Sequence, residues 1–543
     1  MHTPDYQLLI KQLLFTPLAY NPNQEIVYKN NFRMTYATFH ERVCKLANIL
    51  TELGVKEGDT VAIMDYDSHR YLECYFAIPM IGAVMHMINI RLSPEQILYT
   101  IDHAQDDIIL INSEFLPIIE QIRGRIDTVK KYVLMTDDSS DDVRTILPLA
   151  GEYEELMQNA SNRFDFPDFS ENTRATTFYT TGTTGMPKGV YFSHRQLVLH
   201  TMGILNSLGT HTRHANLHQE DVYMPITPMF HVHAWGFPYI ATFMGIKQVY
   251  PGKYIPDVLL ELIEKEGVTY SHCVPTIIHM ILNTPKVESV DLSRWKIIIG
   301  GSSISSAQAL AAMKKGIDIF VGYGMSETCP ILSLAQLTPE MLQKDDEEQA
   351  HIRSKTGRAL GLVDMRIVDD EMNEVPHDGK STGEIVVRAP WLTAGYLKDQ
   401  KNSENLYRGG FLHTGDIANC DKAGYFKITD REKDIIKVGG EWVSSLELED
   451  IIHKHSSVSE VSVVSIPDEK WGEKPLALIV TKAEDKKTLE REIINLIKEF
   501  IKNGLIAREG MLLKIHFTDE ILKTSVGKPN KKVMREKYRE LFA

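Results

Sequence analysis

Residues 176–189 read TTFYTTGTTGMPKG, and this stretch decides the architecture. Residues 176–179 are β-branched and aromatic, the composition of a strand end. The turn that follows gathers Thr180, Thr181, Gly182, Thr183, Thr184 and Gly185, then Met186, Pro187 and Lys188. Glycine lets a backbone fold tightly around an anion, threonine hydroxyls donate to phosphate oxygens, and Lys188 adds positive charge. The segment is predicted to hold phosphate. It is not a Walker A loop, whose second glycine is followed directly by Lys and then Ser or Thr. Here Met186 and Pro187 intervene.

Outward from this loop, apolar β-rich runs alternate with helical patterns through the first 430 residues. Residues 60–65 (TVAIMD), 107–112 (DIILIN) and 296–299 (KIII) read as strands, the last running into Gly300, Gly301 and Ser302. Strand, glycine turn and helix in succession predict mostly parallel sheets with a ligand crevice at the strands' C-terminal ends. From about residue 363, VDMRIVDDEMNEV, GEIVVRAP and GYFKITD are short alternating strands that predict an antiparallel, barrel-like subdomain. Past residue 430, helical runs at 445–454 and 488–503 alternate with strands at 460–465 and 477–481. The predicted fold is α/β. A large N-terminal domain (1–430) combines layered α/β subdomains with the barrel-like unit, and a small α+β C-terminal domain (431–543) follows. Residues 344–349 (KDDEEQ) read as a short charged loop or solvated face.

The chain has 543 residues, 43% apolar and 24% charged, a globular composition too long for a single core. Its net charge of −14 argues against nucleic acid as a partner. Five scattered cysteines without a C-x-x-C pair fit a reducing compartment, with neither a disulfide framework nor a zinc site, and predict a cytoplasmic protein. The start carries Asp5 and no long apolar core, so it does not read as a signal peptide. Residues 75–90 are nearly all apolar but are interrupted by Pro79, His86 and Asn89. They fall short of the roughly 20 residues of a spanning helix and read as a buried helix running into a buried strand, leaving peripheral membrane contact open.

Four further motifs follow the phosphate turn in order. They are Gly322-Tyr323-Gly324-Met325-Ser326-Glu327-Thr328, His413-Thr414-Gly415-Asp416, Asp430-Arg431-Glu432-Lys433-Asp434 with Lys437-Val438-Gly439-Gly440, and Lys523-Thr524-Ser525-Val526-Gly527-Lys528. Together they resemble the adenylate-forming superfamily of acyl-CoA synthetases, luciferases and peptide-synthetase adenylation domains. The resemblance spans residues 180–528 and implies ATP, Mg²⁺ and coenzyme A as reactants and cofactor.

Read alone, Glu327 would be a surface glutamate. It is also a hard oxygen ligand suited to Mg²⁺, and the resemblance adds Thr180 beside the metal and Ser326 against phosphate. Tyr323 offers a flat face for adenine, with the backbone from Gly301 and Ser302 and the Gly322 turn alongside; core packing is the plain alternative. Asp416 can accept both ribose hydroxyls, or merely cap a loop. The resemblance gives Arg431 a ribose contact and puts Lys437 and Trp442 beside the nucleotide. It makes Lys433 the hinge of a mobile C-terminal domain, and brings Gly439 and Gly440 to the coenzyme A tunnel. Lys528 is the expected catalytic lysine, since a carboxylate attacking an α-phosphate brings two anions together.

The acid is read from Pro228-Met229-Phe230-His231-Val232-His233-Ala234-Trp235-Gly236. Amino-acid-activating relatives carry an aspartate where this chain has His231, so the counter-ion for a substrate ammonium is missing. A His231–His233 metal pair lacks a third ligand. The block resembles most the medium- and long-chain fatty acyl-CoA synthetases, which implies His231 beside the acyl carboxylate and Trp235 as gate of the acyl tunnel. It also implies a homodimer. Leu522 stands where proline often precedes the lysine, and Pro529 follows Lys528, which puts the geometry of that loop in question. The expected function is an ATP-dependent acid–CoA ligase for a medium- or long-chain fatty acid. Transfer of the acyl group to a carrier protein, or a non-catalytic nucleotide-binding regulator, is the alternative.

Overall fold

Two large sheets carry the N-terminal part of the chain, and the apolar run of residues 75–90 passes from a helix packed against both into a strand of one. The computed structural model describes residues 6–137, 143–180, 186–439, 441–503, 506, 508–524 and 527–542. In the seven-stranded sheet the order is Leu149–Glu152, Lys131–Met135, Asp106–Asn112, Thr60–Met64, Val84–Met87, Arg174–Thr180 and Lys188–Ser193. All its neighbours run parallel except the last pair. The nine-stranded sheet has a parallel centre, with Lys296–Ile299 between Tyr270–Cys273 and Asp318–Gly324.

The helix His69–Met80 and the strand Val84–Met87 are buried at every residue. That helix packs against strands of both sheets and explains the continuous apolar pattern: no face of it meets water. Among the described residues no helix is long and apolar enough to cross a membrane.

The barrel-like unit is an antiparallel five-stranded sheet of Asp364–Val368, Gly383–Arg388, Phe411–Cys420, Tyr407–Arg408 and Phe426–Arg431. The longest of these, Phe411–Cys420, contains the His413–Asp416 motif, so Asp416 stands within a strand and not in a loop. A second five-stranded sheet forms the C-terminal unit from Ile436–Val438, Glu441–Val443, Val458–Asp468, Gly472–Thr481 and Lys514–Phe517. The helices Ser445–His453 and Lys486–Lys502 bury Leu448, Ile452, Leu489, Ile493 and Ile497 in its core. Residues 344–349 differ from a loop: Asp345 caps the helix Asp346–Arg353 through a bond from the Glu348 N–H. The acidic first turn suits the positive end of the helix dipole and stays solvated.

Candidate active site

The strands on either side of the phosphate turn pair antiparallel. Thr180 ends one strand and Lys188 opens the next, directly opposite in register. Thr181, Gly182, Thr183, Thr184 and Gly185 lie outside the described residues. Parallel strands end on the same side, so the strand Val84–Met87, paired Met87 to Phe178, carries Asn89 to the level of Thr180. Thr180, Asn89, Tyr179, His231 and Ser326 line a cleft. Arg431, Lys433, Asp434, Lys528, Lys531, Lys532 and Arg535 line the same cleft. A chain with a net charge of −14 thus gathers six basic side chains, with Asp434 as the acid among them, in the cleft that Thr180 lines. Such focusing of one sign in a cleft attracts polyanions.

Lys528 reaches the cleft from the C-terminal unit. Its loop closes on itself: Thr524 N–H donates to Lys528 O at 2.7 Å, Asn530 N–H to Leu522 O at 2.8 Å, and Lys523 pairs with Pro529. Leu522 and Pro529 are thereby accommodated in a short hairpin. Ser525 and Val526 of this loop lie outside the described residues. The loop meets the large domain where the Thr276 hydroxyl donates to Gly527 O at 3.2 Å. Lys528 Cε then lies 3.0 Å from where a Cβ on Gly301 would stand, so the positive-φ glycine admits the lysine. Burial pushes the Lys528 ammonium down to about 8, and Arg431 adds repulsion, while Asp416 and Glu327 oppose the shift.

Asp416 is preassembled. Tyr323 Oη donates to its Oδ2 at 2.8 Å, and Arg431 Nε to its Oδ1 at 3.2 Å across paired strands. Each carboxylate oxygen keeps a second acceptor site. The Tyr323 ring is 8% exposed and packs with Leu332 and Ile385, so in this arrangement it is a core residue that offers its hydroxyl. Gly324 is required there: a Cβ would stand 1.8 Å from Pro330 O. Gly322 likewise leaves no room, with Ile298 Cγ2 at 2.8 Å. Beyond it the short turn Ser326–Thr328 aims Glu327, 7% exposed, whose Oε1 accepts the Tyr396 hydroxyl at 2.7 Å. Ser302, half-buried, follows Gly301 on the neighbouring turn.

The His231 segment is strained. Val232, His233, Ala234 and Trp235 all have positive φ, at 40°, 60°, 45° and 59°, before Gly236 at 80°. Left-handed backbone costs a non-glycine residue roughly 1–2 kcal/mol. Neighbours hold the turn: Tyr75 Oη donates to Met229 O at 2.6 Å, Met229 N–H donates to Asp67 Oδ1 at 2.9 Å, and His233 Nε2 lies 2.8 Å from Thr176 Oγ1. His233 is thus turned into the core while His231 faces the cleft. Burial pushes the His231 imidazole down to about 3, with Lys528 and Arg91 adding to it, so it is neutral at working pH. Trp235, 5% exposed, lies against Gly300 and His272.

The structure therefore unites Thr180, His231, Ser326, Arg431, Lys433 and Lys528 in one cleft, with Lys528 against Gly301. It does not bring Lys437, Trp442 or Gly439 there. Lys437 and Trp442 face each other across an exposed hairpin of the C-terminal sheet, and Gly439 packs under Trp471. Gly440 lies outside the described residues. Asn89, Asp67 and Tyr396 were not singled out by the sequence as site residues. Asn89 stood out only as an interruption of an apolar run, which is the signal of a polar group at a strand end.

A cleft at Thr180 that receives a lysine from the C-terminal unit accords with an adenylate-forming enzyme, and the family models assign that class. The chain belongs to the AMP-binding enzyme family: that family's model matches residues 15–397, and the model of the AMP-binding enzyme C-terminal domain matches residues 447–528. It is similar to a long-chain-fatty-acid–CoA ligase of Thermus thermophilus, with 38% identity over 94% of this chain and 91% of the relative. A 3-methylmercaptopropionyl-CoA ligase of Ruegeria lacuscaerulensis is 36% identical over 98% of both chains. Among solved structures, the anthranilate CoA ligase AuaEII in complex with anthranoyl-AMP shares the fold, with a TM-score of 0.86 over 99% of both chains at 24% identity.

Proposed function

We propose that the protein is an ATP-dependent acid–CoA ligase. It joins a carboxylate to the α-phosphorus of ATP, releasing pyrophosphate, and then passes the acyl group to the sulfur of coenzyme A, releasing AMP. The observation that carries this reading is the meeting of Lys528 with Thr180 and His231 in one basic cleft. A carboxylate is ionised near neutrality and needs no general base. Its difficulty is approach to a polyanion, and the Lys528 ammonium offsets that repulsion where the charges converge. Neutral His231 can donate a hydrogen bond to the acid without competing for its charge. Asp416 receives the ribose hydroxyls, with Arg431 beside it.

The buried Glu327 carboxylate and the Thr180 hydroxyl fit Mg²⁺, which favours one or two carboxylates plus substrate phosphates. When bound, the ion neutralises phosphate charge. Among the described residues no group of three or more His, Cys, Asp or Glu side chains is arranged to hold a metal ion by itself, and a site completed by the nucleotide's own oxygens needs none.

Lys433 stands in the turn between Phe426–Arg431 of one sheet and Ile436–Val438 of the next, the place for a hinge between domains 1–430 and 431–543. Rotation there withdraws Lys528 and brings the loop of Gly439 and Gly440, with Lys437 and Trp442, to the cleft for thioester formation. The acid is a medium- or long-chain fatty acid. His231 in place of a carboxylate, and Trp235 poised on a strained turn against Gly300, support that choice. The relative named for a long-chain acid supports it too, while the 3-methylmercaptopropionyl relative sets the competing short acid. A cytoplasmic location accords with five free, buried cysteines, and a homodimer is carried over from the family resemblance.

The test is a panel of acids from acetate to stearate, with 3-methylmercaptopropionate, assayed for AMP, pyrophosphate and thioester with and without coenzyme A. Thioester from the longer acids is expected. Adenylate that never reaches coenzyme A, or turnover confined to the short acids, contradicts the reading.

A further inference from the structure

Tyr396 lies outside every motif that the sequence singles out, yet it touches two groups on which the proposed chemistry depends. Its hydroxyl donates to Glu327 Oε1 at 2.7 Å. Its ring lies against the Lys188 ammonium, 4.7 Å from the ring centroid. The tyrosine is itself fixed from several sides. It forms a β-bridge with Val190, on the strand leaving the phosphate turn. Its N–H donates to Ser403 Oγ at 2.8 Å, and the next residue, Leu397, donates to Gly189 O at 2.8 Å. Three residues earlier, Thr393 N–H donates to Glu327 O at 2.9 Å. One short segment thus grips Glu327 by both backbone and carboxylate, and holds the lysine of the phosphate turn.

We propose that Tyr396 is a positioning residue that presents the Glu327 carboxylate to a divalent cation and aligns Lys188 with the phosphates. The proposal rests on the reading of Glu327 as a metal ligand. A carboxylate has about four acceptor sites, so one hydroxyl fixes its rotation and leaves sites for a metal. Partners that hydrogen-bond a ligating carboxylate orient it, and their removal typically costs about 10–100-fold in metal affinity. Burial strengthens the dependence, because a poorly solvated oxygen loses its partner without gaining water. The aromatic face restrains the lysine while leaving its charge intact.

Tyr396→Phe removes the hydroxyl and keeps the ring; Tyr396→Leu removes both. ATP binding is measured by calorimetry across a Mg²⁺ titration for these two, Glu327→Gln and the native protein. Tyr396→Phe is expected to need about 10-fold more Mg²⁺ for half-maximal ATP affinity and to regain native affinity at saturating Mg²⁺. Tyr396→Leu loses further affinity that Mg²⁺ does not restore. Native Mg²⁺ dependence in Tyr396→Phe beside an impaired Glu327→Gln overturns the role of Tyr396 alone. An affinity loss equal at every Mg²⁺ concentration overturns it as well. Native Mg²⁺ dependence in Glu327→Gln removes the metal-ligand reading, and this proposal with it.

Discussion

The two walls of the cleft, the large domain and the Lys528 loop, are held by different means. On the large domain three groups are tied down by their neighbours: Asp416 by Tyr323 and Arg431, Glu327 by Tyr396 and Thr393, and the His231 turn by Asp67 and Tyr75. The loop carrying Lys528 is tied chiefly to its own hairpin, and meets the large domain at the Thr276 hydroxyl, the side chain of Val274 and Gly301. A preorganised wall can recognise a nucleotide throughout a two-step reaction. A lightly held wall can serve one step and leave.

The sharpest way to break this comparison is to remove the visiting lysine. Lys528→Ala is expected to slow adenylate formation by roughly 10²–10³, the scale of losing one group that stabilises transition-state charge. Thioester formation from supplied adenylate should be largely spared. Single-turnover measurement of each half-reaction checks both, and equal damage to the two contradicts domain rotation.

A second effect is read from pH. The Lys528 ammonium, pushed down to about 8, is protonated below that pH and loses its charge above it. Since kcat/KM reports the free enzyme, adenylation should fall about tenfold per pH unit beyond about 8. Lys528→Arg, whose guanidinium stays charged, should flatten that limb, even at a lower plateau. An alkaline limb unchanged by the substitution assigns it to another group.

Trp235→Ala probes the fixed wall. Deleting the indole against Gly300 should shift the ratio of kcat/KM between long and short acids by on the order of tenfold. An unchanged acid profile removes the gate. The smallest effect tests the contact between the walls: Thr276→Val deletes one hydroxyl bond to Gly527, a net loss of about 1 kcal/mol. Adenylation should slow about 5-fold, with the thioester step unmoved; damage to both steps would place Thr276 in the nucleotide wall instead.

Much of this was legible in the sequence. The strands at 60–65, 107–112 and 296–299 appear within a residue or two, because each is an apolar run closed by a polar or glycine stop. The motifs gave Thr180, His231, Arg431 and Lys528, and the structure gathers them in one cleft. What stayed hidden was set by register and crossing contacts. Asn89 reaches the cleft because its strand runs parallel to Arg174–Thr180, and Tyr396 reaches Glu327 across 69 positions in sequence. Asp67 holds the His231 turn from 162 positions away. No local pattern encodes such pairs. The loop-cap alternative for Asp416 gives way to a strand position, where it pairs with Arg431 and the Glu384 carboxylate accepts the neighbouring Gly415 N–H at 2.9 Å.

Oxygen tracing tests the carboxylate's attack on the α-phosphorus most directly. The acid is supplied with oxygen-18 in its carboxylate, together with ATP and coenzyme A, and the nucleotide product is weighed by mass spectrometry. Attack on the α-phosphorus leaves one acid oxygen in the bridge of the adenylate, and cleavage by the thiol delivers it to AMP. Labelled AMP is the predicted product; unlabelled AMP, or label in released phosphate beside ADP, contradicts the account.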